Sequence, residues 1–315
     1  MSIPFPWNHT IRIEVVEKEN KEETEKRNRR DNEEYDFYLI WYNGIRFRLN
    51  FGKDRSNNYQ IVKRCFKLDE NCNDNYQLKT SSIKMVNGTK EMYLLLVVDI
   101  PKEKHDLNNK IVLGVDLGIN TPAYVATNVT EDRKAIGSRE HFLNSRMAFS
   151  RRFHSMQKLQ GTANGKGRAK KLEPLERLRG KERNWVHTQN HLYSREVVNF
   201  AIKVKAATIQ MEDLSGYGKN EEGTVKEEKK FLLGKWSYFE LQTMIMDKAL
   251  KAGITVNFIK PAYTSQACSW CGERGIRDGT TFYCQNPNCK QHEKKNINAD
   301  HNAARNIARS TEIVK

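Results

Sequence analysis

The sequence predicts a mixed α/β protein: a sheet layered by helices, a β-rich domain before it and a cysteine-bound insertion near its end. Three observations carry this. From Ile111 onward, apolar runs of strand length alternate with long helical stretches, the pattern of a sheet covered by helices. From Tyr35 to Ile100, short β runs succeed one another with no helix between them. Four cysteines, Cys268, Cys271, Cys284 and Cys289, then fall in metal-ligand spacing.

Residues 17–34 are almost wholly charged and read as a solvated loop or frayed helix. Strands are expected at Asp36 to Tyr42, Ile45 to Phe51, Gln60 to Phe66 and Glu91 to Ile100. Asn43-Gly44 marks a tight hairpin between the first two, because both residues tolerate positive φ. Asn87-Gly88 precedes the last. The set suggests a small barrel or open sheet. Pro101 to Lys110 reads as a linker.

Strands at Ile111 to Leu117 and Ala123 to Thr127 flank a Gly-Ile-Asn-Thr-Pro turn. A helical stretch follows from about Ser138 to Val204, interrupted near Gly161 to Gly167. Then come a strand at Ala206 to Met211, a loop over Ser215 to Lys230 and a helix from about Ser237 to Ala252, which Ser237 and Glu240 would open as a capping box. A strand at Ile254 to Ile259 leads into the cysteines and a final helix. The Lys219 to Gly234 region, mixed in sign and bounded by glycine, reads as a surface loop.

The 315 residues carry a net charge of +15, so a polyanion is the expected partner. No apolar run reaches the length of about 18 residues that a membrane helix needs. The N-terminus has no basic region followed by an apolar stretch, so no secretory signal is expected. Clustered cysteines favour a reducing cytoplasm over a disulfide scaffold. Cys65 and Cys72 stand apart and read as ordinary thiols.

Cys268-x2-Cys271, twelve residues, then Cys284-x4-Cys289 is the layout of a zinc ribbon. Two cysteines on each of two turns close a tetrahedron of thiolates around Zn²⁺ and leave no vacant position for chemistry. Gly272, Gly279 and Pro287 suit the tight turns of such knuckles, and His292 is an alternative fourth ligand.

Three carboxylates sit where core building would have placed something else. Asp116 lies in an apolar strand, where an unpaired charge is expensive to bury. Glu212 ends a second apolar strand, and Asp300 opens an alanine-rich helix. Asp300 could simply cap that helix, and Glu212 could be a solvated strand end. Together, three such carboxylates suit phosphodiester cleavage assisted by two Mg²⁺ ions.

Gly114-Val-Asp-Leu-Gly-Ile-Asn, Ile209-Gln-Met-Glu-Asp-Leu, Thr264-Ser-Gln-Ala-Cys-Ser-Trp-Cys-Gly and Asn298-Ala-Asp-His-Asn-Ala-Ala-Arg-Asn-Ile resemble motifs of one family. They are similar to the RuvC-like nuclease core of TnpB and the type V CRISPR effectors, over about Ile111 to Ala308. The resemblance implies an RNase H-like (RuvC) fold with an inserted zinc ribbon. It implies Asp116, Glu212 and Asp300 as Mg²⁺ ligands and an arginine near the scissile phosphate, Arg277 or its rival Arg274. The first hundred residues resemble, more weakly, the family's wedge domain. The expected division is a guide-binding wedge-like domain over 1–108, a nuclease core over 109–265 with its basic helical stretch at 138–204, the ribbon at 266–294 and the final helix at 295–315.

Between Ser150 and Trp185 there are eleven Lys or Arg against three Asp or Glu, with Phe153 and Trp185 interleaved. Arg151, Arg152, Lys166, Arg168, Lys170 and Lys171 are candidates for phosphate contact; a solvated helical hairpin is the plainer alternative. Family members pass a guide–target heteroduplex through this region.

The expected function is RNA-guided, Mg²⁺-dependent DNA cleavage by a cytoplasmic endonuclease with guide RNA and target DNA as partners. The alternatives are an RNA-guided DNA-binding repressor or accessory subunit without cleavage, and a guide-independent RuvC-like nuclease. Family members carry a helical recognition lobe that is not evident here. A short form, a fragment, or one part of a split or dimeric effector is therefore expected, with a second chain or copy supplying the lobe.

Overall fold

The computed structural model describes residues 2–18, 34–52, 57–68, 75–85, 91–118, 121–159, 167–213, 238–260, 264–292 and 297–314. The chain divides into two compact units, Met1–Pro101 and Lys102–Lys315.

The first unit holds two three-stranded antiparallel sheets. One has the order β1 (Ser2–Phe5), β5 (Gln77–Met85), β6 (Met92–Asp99); the other runs β2 (Arg12–Glu17), β3 (Tyr35–Trp41), β4 (Ile45–Arg48). The β3–β4 turn has Asn43 at φ 59° and Gly44 at φ 76°, as the Asn-Gly pair predicts. Phe37 lies at the centre of a buried cluster, edge-on to Tyr59 at 5.7 Å and Phe51 at 5.9 Å between ring centroids. Edge-to-face packing sets each ring's positive rim against a neighbour's negative face.

The run expected as a strand at Gln60 to Phe66 is instead helix α1 (Asn58–Cys65). Its apolar residues lie at helical spacing, and Tyr59 and Val62 point together into the core. The Tyr59 hydroxyl also accepts a hydrogen bond from the Tyr35 amide at 2.9 Å. Lys63 and Arg64 in the last turn complement the helix dipole. The charged run at 19–33, Cys72 and Asn87-Gly88 lie outside the described residues.

The second unit is built on a five-stranded mixed sheet. Its strands are β7 (Asn108–Asp116), β8 (Ala123–Thr127), β9 (Arg133–Ile136), β10 (Ala206–Glu212) and β11 (Thr255–Ile259). They lie in the order β11-β10-β7-β8-β9. β10 runs parallel to both β7 and β11, while β7–β8 and β8–β9 are antiparallel hairpins.

The two faces of β7 and β10 differ in kind. Leu113, Val115, Ile209 and Met211 point into the main core with Val197, Val198, Leu241 and Ile245. These last four come from α3 (Arg168–Lys203) and α4 (Tyr238–Lys251). The alternate residues, Gly114, Asp116, Gln210 and Glu212, face the other way. There the sheet meets the closing helix α5 (Ala299–Arg309).

Gly114 makes that meeting possible. A Cβ built on it would lie 2.0 Å from the Ala304 carbonyl oxygen and 2.5 Å from the Ala308 amide nitrogen. Only a residue without a side chain admits the helix backbone so close.

Helices α2 (Arg139–Leu159) and α3 form the expected long helical stretch. Trp185 packs on Phe142 at 5.4 Å, and the Arg179 guanidinium lies over the Phe153 ring at 4.8 Å. Arg146, itself buried, pairs with Glu182 at 3.2 Å. The aromatics interleaved in the basic stretch therefore join the two helices to each other.

Ser237 and the segment 214–237, which includes the Lys219 to Gly234 region, lie outside the described residues. The Glu240 carboxylate accepts from Asn190 at 2.6 Å and pairs with His187 at 2.6 Å, tying the start of α4 to α3. No helix among the described residues is long and apolar enough to cross a membrane.

Candidate active site

β7 and β10 run parallel with Val115 opposite Met211, so Asp116 and Glu212 end neighbouring strands side by side. Paired strands lie about 4.8 Å apart. The third carboxylate arrives on α5. Asp300, Ala304 and Ala308 recur every four residues and share one stripe of that helix. Ala304 and Ala308 rest on Gly114, and Gly114 lies two residues before Asp116 on the same strand face. Close contact at one end of the stripe thus sets Asp300 beside Asp116 at the other.

Asp300 is not the cap of its helix. Asn298 is the cap, its side chain accepting from the His301 amide at 2.9 Å. Buried Asp300 instead accepts from Arg277 Nη2 on Oδ1 at 2.9 Å and from the Thr121 hydroxyl on Oδ2 at 3.1 Å. Glu212 takes a short hydrogen bond on Oε1 from the Thr264 hydroxyl, and its backbone carbonyl accepts from Gln242 at 2.7 Å.

The Asp116 carboxyl is strongly perturbed. Burial, and then the charges of Asp300 and Glu212, push it up to about 8; Arg277 opposes this. Glu212 is also raised, chiefly by burial, with the Thr264 hydrogen bond and Arg277 pulling the other way. A buried carboxyl raised by two neighbouring carboxylates marks a deficit of positive charge, and one arginine does not remove it.

The four cysteines meet as well. Their sulfurs all lie within 4.8 Å of one another, with Cys268–Cys289 at 4.0 Å and Cys271–Cys284 at 3.6 Å. Thiolates about 2.3 Å from a tetrahedral Zn²⁺ stand roughly 3.8 Å apart, so the cluster has the geometry for zinc. Burial, with the neighbouring Cys268 and Cys271 adding to it, pushes the Cys284 thiol up to about 12. His292 places Nδ1 on the Cys284 carbonyl at 2.8 Å, and the group of converging ligand atoms holds the four cysteines without it.

A hairpin of β12 (Gly275–Asp278) and β13 (Thr281–Cys284) carries the second knuckle, with β14 (Ile297–Asn298) beside it. Arg277 projects from this hairpin to Asp300. Arg274, the rival, forms a backbone bridge with Ala267 beside the first knuckle.

The structure therefore brings Asp116, Glu212, Asp300 and Arg277 together, and separately the four cysteines. The basic candidates are spread over two helices. Arg151 and Arg152 on α2 and Lys170 on α3 are exposed. Arg168 and Lys171 also lie on α3, with side chains outside the described residues, as is Lys166 entirely.

Several residues at the site carried no sequence signal of their own. Thr264 and Thr121 each hold a carboxylate. Asn302 donates to the Ala267 carbonyl at 2.7 Å and accepts from the Ser269 amide at 2.8 Å, fixing the first knuckle to α5. His301, buried among Tyr124, Trp270 and Arg133, is held down to about 4 by burial and the neighbouring arginines, so it is neutral at pH 7. Thr264 and Asn302 do fall inside the quoted motif runs, which was the available clue.

A five-stranded mixed sheet bearing two carboxylates, a closing helix bearing the third and a four-cysteine cluster inserted before that helix make this a mixed α/β protein of Cas12f1-like fold. The domain description "Cas12f1-like, TNB domain" matches residues 238–307, which run from α4 through the cysteine cluster into α5. The chain belongs to the Cas12f1/TnpB family, with a Cas12f1-like TNB zinc domain in its C-terminal region.

Among relatives, the CRISPR-associated endodeoxyribonuclease Cas12f1 of Sulfoacidibacillus thermotolerans is 36% identical over 248 residues, 76% of this chain and 55% of that protein. The protein of the same name from Syntrophomonas palmitatica is 36% identical over 245 residues, 69% of this chain and 48% of its own. A chain in a solved Cas12f1–sgRNA–target DNA complex matches at TM-score 0.61 and 23% identity, covering 99% of this chain and 60% of that one; this likeness concerns the fold. The chain spans about half the length of the curated relatives it matches.

Proposed function

We propose that this chain is an RNA-guided DNA endonuclease, or the catalytic half of one, that hydrolyses phosphodiester bonds with divalent cations held by Asp116, Glu212 and Asp300. The observation that carries the reading is the convergence of these three carboxylates from two strand ends and a helix, with Asp116 pushed up to about 8. The relatives' names as endodeoxyribonucleases support it. The sheet order and closing helix fit an RNase H-like (RuvC) core.

The donor set fits a hard cation. All three groups offer carboxylate oxygen, the ligand that Mg²⁺ and Mn²⁺ prefer, and their mutual repulsion falls when positive charge enters. Bound there, two divalent cations would ease deprotonation of the attacking water and offset charge on the phosphodiester. The residues' own tasks follow from their contacts. Thr264 occupies Oε1 of Glu212, while Oε2 has no hydrogen-bond partner among the described residues and is left to accept. Arg277, one-third exposed beside Asp300, is the donor within reach of a phosphate oxygen at this site. Water attack at phosphorus breaks the bond to the leaving sugar oxygen, which takes up a proton.

The first unit would grip guide RNA as a wedge-like domain. Arg151, Arg152, Lys166, Arg168, Lys170 and Lys171 would neutralise phosphates of the guide–target heteroduplex. Four thiolates, Cys268, Cys271, Cys284 and Cys289, would hold one structural Zn²⁺.

The test is Asp116→Ala in the complex reconstituted with guide RNA and matched DNA in Mg²⁺. Cleavage should fall below detection while target binding persists. Undiminished cleavage would overturn the assignment.

A further inference from the structure

Glu212 and Asp300 reach the site on separate elements, and one side-chain path runs between them. Thr264 is buried and donates its hydroxyl to Glu212 Oε1. Its own carbonyl accepts from Asn306 Nδ2 at 2.7 Å, and the same nitrogen reaches the Ala267 carbonyl at 2.8 Å. Asn306 sits on α5, the helix that carries Asp300. Asn302, one turn earlier, grips Ala267 and Ser269 on either side of Cys268. The segment that opens the cysteine knuckle is thus clamped to the Asp300 helix, and its first described residue reaches back to Glu212.

We infer that Thr264 is a positioning residue: its hydroxyl, anchored through Asn306, fixes the Glu212 carboxylate relative to Asp300 and so tunes the affinity of the carboxylate site for its divalent cation. The inference rests on the reading of the three carboxylates as cation ligands. A glutamate at a strand end turns freely about its last bond. A buried donor on one oxygen fixes that rotation and presents the other oxygen to the site. Without the donor, Oε1 would be left half-dry and unpaired, and the carboxylate would rotate to find another partner.

Thr264→Val keeps the side chain's shape and removes the hydroxyl; Thr264→Ser keeps the hydroxyl. The assay is equilibrium Mn²⁺ binding to the purified chain by electron paramagnetic resonance, with zinc content and thermal melting measured on the same samples. Replacing a group that orients a metal ligand commonly weakens metal binding 10- to 100-fold. Thr264→Val should therefore lose about tenfold in Mn²⁺ affinity at unchanged zinc content, and Thr264→Ser should stay close to the parent.

Mn²⁺ binding by Thr264→Val equal to the parent, while Glu212→Gln weakens it, would overturn the inference and leave the carboxylate site standing. Equal losses in the Ser and Val variants would also overturn it, because the hydroxyl would then be irrelevant. Glu212→Gln binding Mn²⁺ as the parent does would remove the site reading itself, and this inference with it.

Discussion

Gly114 and Ala304 approach so closely that a single methyl group on the glycine would lie 2.0 Å from the alanine's carbonyl oxygen. The contact is backbone on backbone, so no side chain can rotate away to relieve it. It decides how far the closing helix stands from the sheet, and hence how near Asp300 comes to Asp116.

Gly114→Ala should accordingly be more damaging than an ordinary core substitution. Overpacking against backbone costs about 1–3 kcal/mol or more, and here the helix must retreat as a body. Thermal melting should show a loss of at least about 2 kcal/mol, and cleavage should fall even below the melting temperature. A variant with the parent's stability would mean that α5 does not seat on Gly114.

Asp116 should make the metal-free protein less stable as pH rises. Its folded carboxyl titrates near 8, well above the ordinary aspartate value, so between about pH 4 and 8 the unfolded chain has lost a proton that the folded chain keeps. Stability therefore falls across that window, by up to about 1.4 kcal/mol per pH unit, and levels off above it. Asp116→Asn should flatten this slope and melt higher than the parent at pH 8 without added Mg²⁺. Added Mg²⁺ should stabilise the parent more than the variant.

Arg277 lowers the pKa of both Asp116 and Glu212 through its charge. Removing it should move both upward. In Arg277→Ala the pH giving half-maximal cleavage should rise relative to the parent, and the maximal rate should fall. A rate loss with an unmoved pH profile would show that the guanidinium acts on phosphate alone.

The cysteine cluster should release one Zn²⁺ per chain on unfolding, as a colorimetric chelator would register. Cys284→Ser should abolish that signal. Because Arg277 lies on the hairpin that carries Cys284 and Thr264 leads into the Cys268–Cys271 turn, it should also reduce Mn²⁺ binding at the carboxylates. Retained zinc would mean that the four sulfurs are not the ligand set.

The carboxylates and cysteines were legible in the sequence because each broke a local rule. Asp116 interrupts an apolar strand, and four cysteines within twenty-two residues stand in metal-ligand spacing. Their partners broke no rule. Thr264, Thr121 and Asn306 are residue types that any turn or helix end accommodates, and only the tertiary fold gives them a carboxylate or carbonyl to hold. Gln60 to Phe66 was misread because Ile61 and Val62 favour strands by propensity, whereas burial of Tyr59 and Val62 on one helical stripe decided otherwise. Strand order was likewise invisible: β10 finds β7 across some ninety residues, and nothing local in either strand names its neighbour.

That long reach has a consequence during protein synthesis. Asp116 leaves the ribosome first, Glu212 follows after α3, and Asp300 emerges only once the whole ribbon has passed through the exit tunnel. A nascent chain halted before α5 carries two adjacent acids and neither the third acid nor the helix that seats it. The three-carboxylate cluster is thus completed last.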